Sequence, residues 1–159
     1  MRATSAVGKQ RGPRMVLWLM LLFAAADAQS LIVINQPWVR PAGAGQSTEA
    51  YMNLTSTEGA TLVSARSDGA ADVTLHPPGS GHRKTDRIAL PAQTIVELAP
   101  GKYRFTLRGL TRNVRLGDIV PLTLTIQGAD GAHQEIAVGA VARLRSPVDD
   151  ERRAHAHHH

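Results

Sequence analysis

The sequence predicts an all-β domain of about eight or nine strands, folded as an antiparallel barrel or sandwich. Two observations predict this fold. Short apolar or alternating runs follow one another from residue 31 to residue 144, and turn residues rich in glycine, proline and aspartate separate them. Regularly spaced short strands with such turns are typical of antiparallel β-proteins. The second observation is that no segment offers a convincing helical period.

The strands follow in order along the chain. The runs lie at residues 31–35, 37–40, 47–56, 60–67, 71–76, 94–99, 103–110, 119–127 and 134–144. Alternation is clearest in "YRFTLRGL", where Tyr103, Phe105 and Leu107 share one face and polar residues occupy the other. The sequence "GADGA" at 128–132 favours a tight hairpin tip, because Asp-Gly accepts the positive φ angles of such turns.

The first 28 residues are typical of a secretory signal peptide. The segment before Met15 carries four basic residues and no acid, and a run of about 12 apolar residues follows. It ends in Ala26-Asp27-Ala28, a small-any-small cleavage site, so we expect the exported chain to begin at about Gln29. The alternative, a single membrane anchor, would need an apolar run of about 20 residues. We therefore expect a secreted protein.

Composition divides the exported chain into a domain at 29–145 and a polar, histidine-rich tail at 146–159, which we expect to be disordered.

The whole chain carries a net charge of +5, but without residues 1–28 it has 14 basic and 12 acidic residues, a net charge of +2. With no basic stripe of interleaved aromatics, nucleic-acid binding has little support. The chain has no cysteine, so disulfides and thiolate ligands are excluded.

Motifs of enzyme active sites do not occur in the sequence. There is no G-x-S-x-G elbow, no H-E-x-x-H, no P-loop and no glycine-rich fingerprint that opens a helix. Serine, histidine and aspartate are present, but no spacing places them in a triad. We therefore expect a protein that is not an enzyme.

The histidines are the candidate ligands of a metal. His76 and His82 lie six residues apart across a Pro-Pro-Gly turn, within "VTLHPPGSGHRKTD". Imidazole suits copper, zinc and nickel, although two histidines in a loop can equally be an ordinary polar turn. Further candidate ligands lie in the tail, at His155, His157, His158 and His159. The alternatives for the tail are a purification-tag remnant or a non-specific metal scavenger.

Several segments together resemble the PCu(A)C family of periplasmic copper chaperones. They are "PWVRP", "EAYMNLTS", "VTLH", "IALPAQTIVELAPGKYRFTLRGL" and "GDIVPLTLTI", and the resemblance runs from about residue 32 to residue 140. It implies a cupredoxin-like Greek-key β-barrel and, for an exported chain, a location in the bacterial periplasm. It also implies an exposed Cu(I) site and delivery of copper for the assembly of cytochrome c oxidase.

The copper motif of that family is only partly present. It consists of a histidine, ten residues, a methionine, twenty-one residues, and then His-any-Met. His76 falls on the first ligand and His82 on the first methionine, with 5 residues between them and 21 residues between His82 and Arg104. Arg104 and Thr106 replace the closing histidine and methionine. Loss of both thioethers removes the preference for Cu(I), and guanidinium has no lone pair to offer a metal.

The resemblance therefore implies a reduced site in which His76 and His82, helped by the tail, bind Cu(I) or Cu(II). The protein would pass copper by ligand exchange to an acceptor such as an oxidase assembly factor or subunit, acting as a monomer without stable membrane insertion. The alternative is a metal-free interaction module, with Arg104, Arg108 and Lys102 as a basic contact patch. A third possibility is metal buffering by the tail alone.

Overall fold

The computed structural model describes residues 30–79 and 81–156, which form nine strands and one helix. The strands are β1 Ile32–Val39, β2 Thr48–Ser56, β3 Ala60–Arg66, β4 Ala70–His76, β5 Ile88–Leu90, β6 Ile95–Leu98, β7 Arg104–Leu110, β8 Ile119–Gly128 and β9 His133–Ala142, and the helix is α1 Pro147–Ala156. The all-β prediction is confirmed. The predicted signal peptide and the last three tail histidines lie outside the described residues.

All nine strands belong to one sheet that curls into a half-barrel. Its order is β4-β7-β2-β1-β9-β8-β3-β5, and β6 pairs with β2 beside this path. The purely antiparallel sheet that we predicted is wrong at one place, because Trp38 and Val39 in β1 pair in parallel with Val141 and Ala142 in β9. No hairpin connects these two strands, so chain connectivity does not impose an antiparallel direction on them.

Most strands match the predicted runs to within one or two residues at each end, but β1 and β5 do not. The runs at 31–35 and 37–40 form the single strand β1, which continues through Pro37 by means of an irregularity. Gln36 has a φ of 51°, and the pairing with β2 shifts register between Asn35 and Trp38. The strand β5 was not predicted, because its three residues are too short to show a period.

The hydrophobic core lies inside the curl of the sheet. Its members come from strands that alternate apolar and polar residues, as in β8, where every second side chain is buried. The largest fully buried side chains of the core are Phe105, Met52, Leu54, Leu62, Ile88, Leu90, Leu98, Leu107, Leu122, Leu124 and Ile126. Tyr51 is also fully buried but does not belong to this cluster. All buried apolar residues of the described chain lie between Trp38 and Ala142. A chain that begins at Gln29 therefore contains the whole described core.

Helix α1 corrects the prediction that residues 146–159 are disordered, because 147–156 are helical. The Ser146 hydroxyl accepts a hydrogen bond from the Val148 N–H at 3.3 Å, and Pro147 occupies the first helical position. Asp149 and Asp150 lie in the first turn, where negative charge is favoured. Sequence analysis missed the helix because it lacks an apolar period. Among the described residues no helix is long and apolar enough to span a membrane.

Candidate metal site at the ends of strands β4 and β7

Polar side chains from three neighbouring strands share the face of the sheet opposite the core. In the register of β4 and β7, His76 lies opposite Arg104 and Thr74 lies opposite Thr106. On the next strand, Glu49 of β2 lies opposite Thr106. Because successive residues of a strand point to opposite faces, these five residues share one face. The sheet therefore brings His76, the first predicted ligand, close to Arg104 and Thr106, which replace the last two ligands of the family motif.

His76 is a buried histidine, with 2% of its surface exposed. Its Nδ1 lies 2.7 Å from the carbonyl oxygen of Arg83, and its Nε2 lies 2.9 Å from the hydroxyl of Thr74. Since a carbonyl only accepts, Nδ1 carries the proton and donates it. In the neutral ring, Nε2 then holds the lone pair and accepts from Thr74. Metal-ligating histidines usually have this arrangement, with one ring N–H held by a carbonyl or carboxylate.

His82 lies in the turn that follows Ser80, and its side chain is exposed. The loop that carries it is hydrogen-bonded to the sheet: the Arg83 carbonyl accepts from His76, and the Thr85 N–H donates to the Leu75 carbonyl at 3.0 Å. The loop therefore covers His76 while His82 faces solvent. In residues 30–79 and 81–156, no group of three or more histidine and acidic side chains is arranged to hold a metal.

Arg104 is held by two partners. Its Nε lies 3.1 Å from Oε1 of Glu49, and its Nη2–H donates to the carbonyl oxygen of Gly81 at 2.7 Å. Only 17% of the Arg104 side chain is exposed. The guanidinium charge is therefore compensated by a carboxylate, and the same side chain fastens the loop that carries His82. Thr106, half-buried beside Glu49, is the second replaced ligand position.

Glu49 is a site residue that sequence analysis did not single out. Its second carboxylate oxygen accepts a hydrogen bond from the hydroxyl of Tyr51. Burial raises the pKa of Tyr51 well above its ordinary range, and the hydrogen bond and negative charge of Glu49 raise it further. The Tyr51 ring packs against Trp38 with centroids 4.6 Å apart, and Arg40 lies 5.8 Å above its centroid. The alternation of "TEAYM" places Glu49 and Tyr51 on one face, but nothing in the sequence pairs them with Arg104.

The basic patch considered in the sequence analysis is mostly neutralised. Lys102 forms an ion pair with Glu97, and Arg104 forms one with Glu49. Arg108 is exposed on β7, opposite Asp72 in the register of β4. These three basic residues therefore do not present a common uncompensated charge.

Of the tail ligands, His155 lies in the last turn of α1 and is exposed. The start of the helix lines a groove beside the sheet, formed in part by Trp38, Met52, Ser146 and Val148. His157, His158 and His159 lie outside the described residues.

Comparison with known proteins gives one family and several similar structures. Residues 32–138 match the family described as "Putative lipoprotein LpqE-like". The apo PCuAC domain from PmoF1 is similar at a TM-score of 0.62, with 17% identity over 72% of this chain and 94% of that chain. The copper-bound PCuAC domain from PmoF2 gives 0.55, with 23% identity over 70% and 93%. The solution structure of Cu(I)-DR1885 from Deinococcus radiodurans gives 0.54, with 24% identity over 76% and 85%. No curated protein matches.

Proposed function

Because this chain belongs to the LpqE-like family and has the fold of PCuAC domains, we propose that it is an exported copper-binding protein of the chaperone type. One observation carries the proposal. His76 donates its Nδ1–H to the Arg83 carbonyl, so among the described residues its Nε2 lone pair contacts only the hydroxyl of Thr74. A hydroxyl rotates at little cost, and the imidazole is therefore fixed in the tautomer that binds a metal.

Copper is the cargo in this proposal, and His76 is its first ligand. Since His76 is 2% exposed, the ion reaches Nε2 only when the loop between Pro77 and His82 moves away from the sheet, while the Arg83 carbonyl keeps its hydrogen bond to Nδ1. The same movement brings His82 within reach as a second imidazole. Two neutral imidazoles can bind Cu(I) linearly. The ion pair between Arg104 and Glu49 keeps the guanidinium charge compensated while the cation is bound.

Copper can pass from this site to an acceptor protein because the site has few protein ligands. A site with two protein ligands leaves room for a ligand of the acceptor to enter before the first imidazole leaves. We propose that the acceptor is an oxidase assembly factor or subunit, and that the monomeric protein catalyses no reaction. The tail, which contains His155 and the three terminal histidines, would add ligands. Export is supported by the basic start, apolar run and small-any-small end of residues 1–28, and we propose that the destination is a bacterial periplasm.

The test is a competition titration with Cu(I) and a chromophoric chelator. We expect residues 29–159 and residues 29–145 each to bind one equivalent, and His76→Ala to lose it. His133→Ala is the matched control, because His133 is an exposed histidine at the start of β9 and should leave binding unchanged. Binding by the longer chain alone would assign copper to the tail. Absence of binding by both chains would refute the proposal.

A second candidate function is a metal-free interaction module of the same fold. The observation that favours it is Arg104, which occupies the third ligand position and is fastened to Glu49 and Gly81. The double substitution Arg104→His with Thr106→Met separates the two functions. If the ion pair merely fills a reduced copper site, the double variant gains Cu(I) affinity. If the face serves a partner, the variant gains little copper affinity and partner binding is lost.

A further inference from the structure

Three large aliphatic side chains protrude at the open end of the β8–β9 hairpin. Leu116 is 60% exposed, Ile119 is 59% exposed and Leu144 is 70% exposed. Most large apolar side chains of this domain are buried in the core, so three at one end of a hairpin form an unusual surface. We call these three residues the aliphatic patch.

The members of the patch come from segments that hydrogen-bond to each other. Ile119 lies opposite Val141 in the register of β8 and β9. The Gly117 N–H donates to the carbonyl oxygen of Ala142 at 2.9 Å. Leu116 and Leu144 line one groove together with Ala142. The patch is therefore supported by the backbone of two paired segments.

Arginines surround the aliphatic patch. Arg143 and Arg145 line the same groove as Leu116 and Leu144, Arg115 directly precedes Leu116, and the guanidinium of Arg112 lies 3.3 Å from the Ile119 carbonyl oxygen. Two acids oppose this charge. Asp118 lies 3.4 Å from Arg112, and Asp150 lies 3.9 Å from Arg143. Arg115 and Arg145 form no ion pair with the described residues, so the rim carries a net positive charge.

We propose that this patch docks the domain on an anionic lipid surface. Aliphatic side chains that protrude beyond the backbone enter the boundary between headgroups and acyl chains, and arginines beside them bind lipid phosphates. An acidic protein would use the arginines but would not require protruding leucines without a matching pocket. A bilayer supplies both the negative charge and the apolar layer, so it fits the combination better.

The docking surface is separate from the candidate metal site. In the sheet, β9 is separated from β7 by β1 and β2. The inference therefore stands without copper binding, and its test does not involve copper. A peripheral contact of this kind also agrees with the expectation that the exported chain does not insert stably into a membrane.

The test is flotation of residues 29–159 with lipid vesicles. We expect binding to vesicles of phosphatidylglycerol and phosphatidylcholine in equal amounts, little binding to phosphatidylcholine alone, and weaker binding as salt is added. Arg115→Gln with Arg145→Gln should lower the partition coefficient about 25-fold, because each arginine near an anionic surface contributes about fivefold. Leu116→Ser with Leu144→Ser should lower it at least tenfold. The matched control is Ile95→Ser, because Ile95 is 63% exposed on β6, outside the patch.

Three outcomes would overturn the proposal. The first is absence of binding to the anionic vesicles, and the second is an equal loss in Ile95→Ser. The third is binding to soluble polyglutamate that requires the arginines but not the leucines, which would assign the surface to an acidic protein partner.

Discussion

At the scale of single residues, Glu49 holds the polar face of the sheet together. One oxygen accepts from the Tyr51 hydroxyl and the other lies 3.1 Å from Nε of Arg104. Arg104 in turn donates to the Gly81 carbonyl, so the carboxylate is connected to the loop that covers His76. No buried side-chain nitrogen or oxygen in the described chain lacks a hydrogen-bond partner. The network is therefore satisfied, which buried polar groups require for stability.

The raised pKa of Tyr51 predicts a loss of stability at alkaline pH. In the unfolded chain the phenol ionises near its ordinary pKa of 10.0, whereas the folded protein keeps it protonated. Stability is fully present below pH 10 and falls above it by up to about 1.4 kcal/mol per pH unit. We expect Tyr51→Phe to remove this fall and Tyr103→Phe to retain it, as measured by urea unfolding between pH 9 and pH 11. An unchanged slope in Tyr51→Phe would contradict the assignment.

The candidate site could be predicted only in part. His76 was found because a histidine ends an alternating strand, and Arg104 and Thr106 were found through the spacing of a known motif. The partners of Arg104 were not predictable, because Glu49 lies 55 positions away and meets it only through the order of strands in the sheet. Burial of His76 was missed for a related reason. It depends on how the loop after β4 folds back, and local sequence does not specify that.

At the scale of elements, β7 contains a glycine that no other residue replaces without strain. Gly109 has a φ of 62°, in the left-handed region that disfavours side chains. A Cβ placed on it would lie 3.1 Å from the Cβ of Ala71 on the neighbouring strand. The strands β4 and β7 stay paired on both sides of this point, where Leu110 lies opposite Ala70 and Arg108 lies opposite Asp72. Gly109 therefore allows β7 to bend while it stays paired.

We expect Gly109→Ala to lower the free energy of unfolding by about 2 kcal/mol, from backbone strain together with the contact to Ala71. Gly45→Ala is the matched control, because Gly45 has a φ of 75° but open space around its Cβ position. It should lose about 1 kcal/mol. Urea unfolding measures both values. Equal losses in the two variants would show that the contact with Ala71 contributes nothing.

At the scale of the whole molecule, the domain consists of a sheet that contains the core and a helix that lies outside it. Alternation in the sequence was sufficient to predict the sheet, because burial on one face produces a period of two. It was insufficient for α1, since this helix is held by capping and charge at its ends and reaches the groove beside the sheet through Val148, Asp149 and Arg152. A helix of 10 residues is marginal by itself. The groove beside Trp38 and Met52 supplies the contact for Ser146 and Val148.

Removal of residues 146–159 should therefore leave the fold intact and change the surroundings of Trp38. Because all described core residues precede this segment, we expect the free energy of unfolding to change by less than about 1 kcal/mol. Trp38 is the only tryptophan after residue 28, and loss of Val148 from its groove should shift its fluorescence emission to longer wavelength. His155→Ala, in the exposed last turn, should leave the emission unchanged. A loss of several kcal/mol on truncation would instead make α1 part of the core, and the truncated chain would then be unsuitable for assigning copper to the sheet or to the tail.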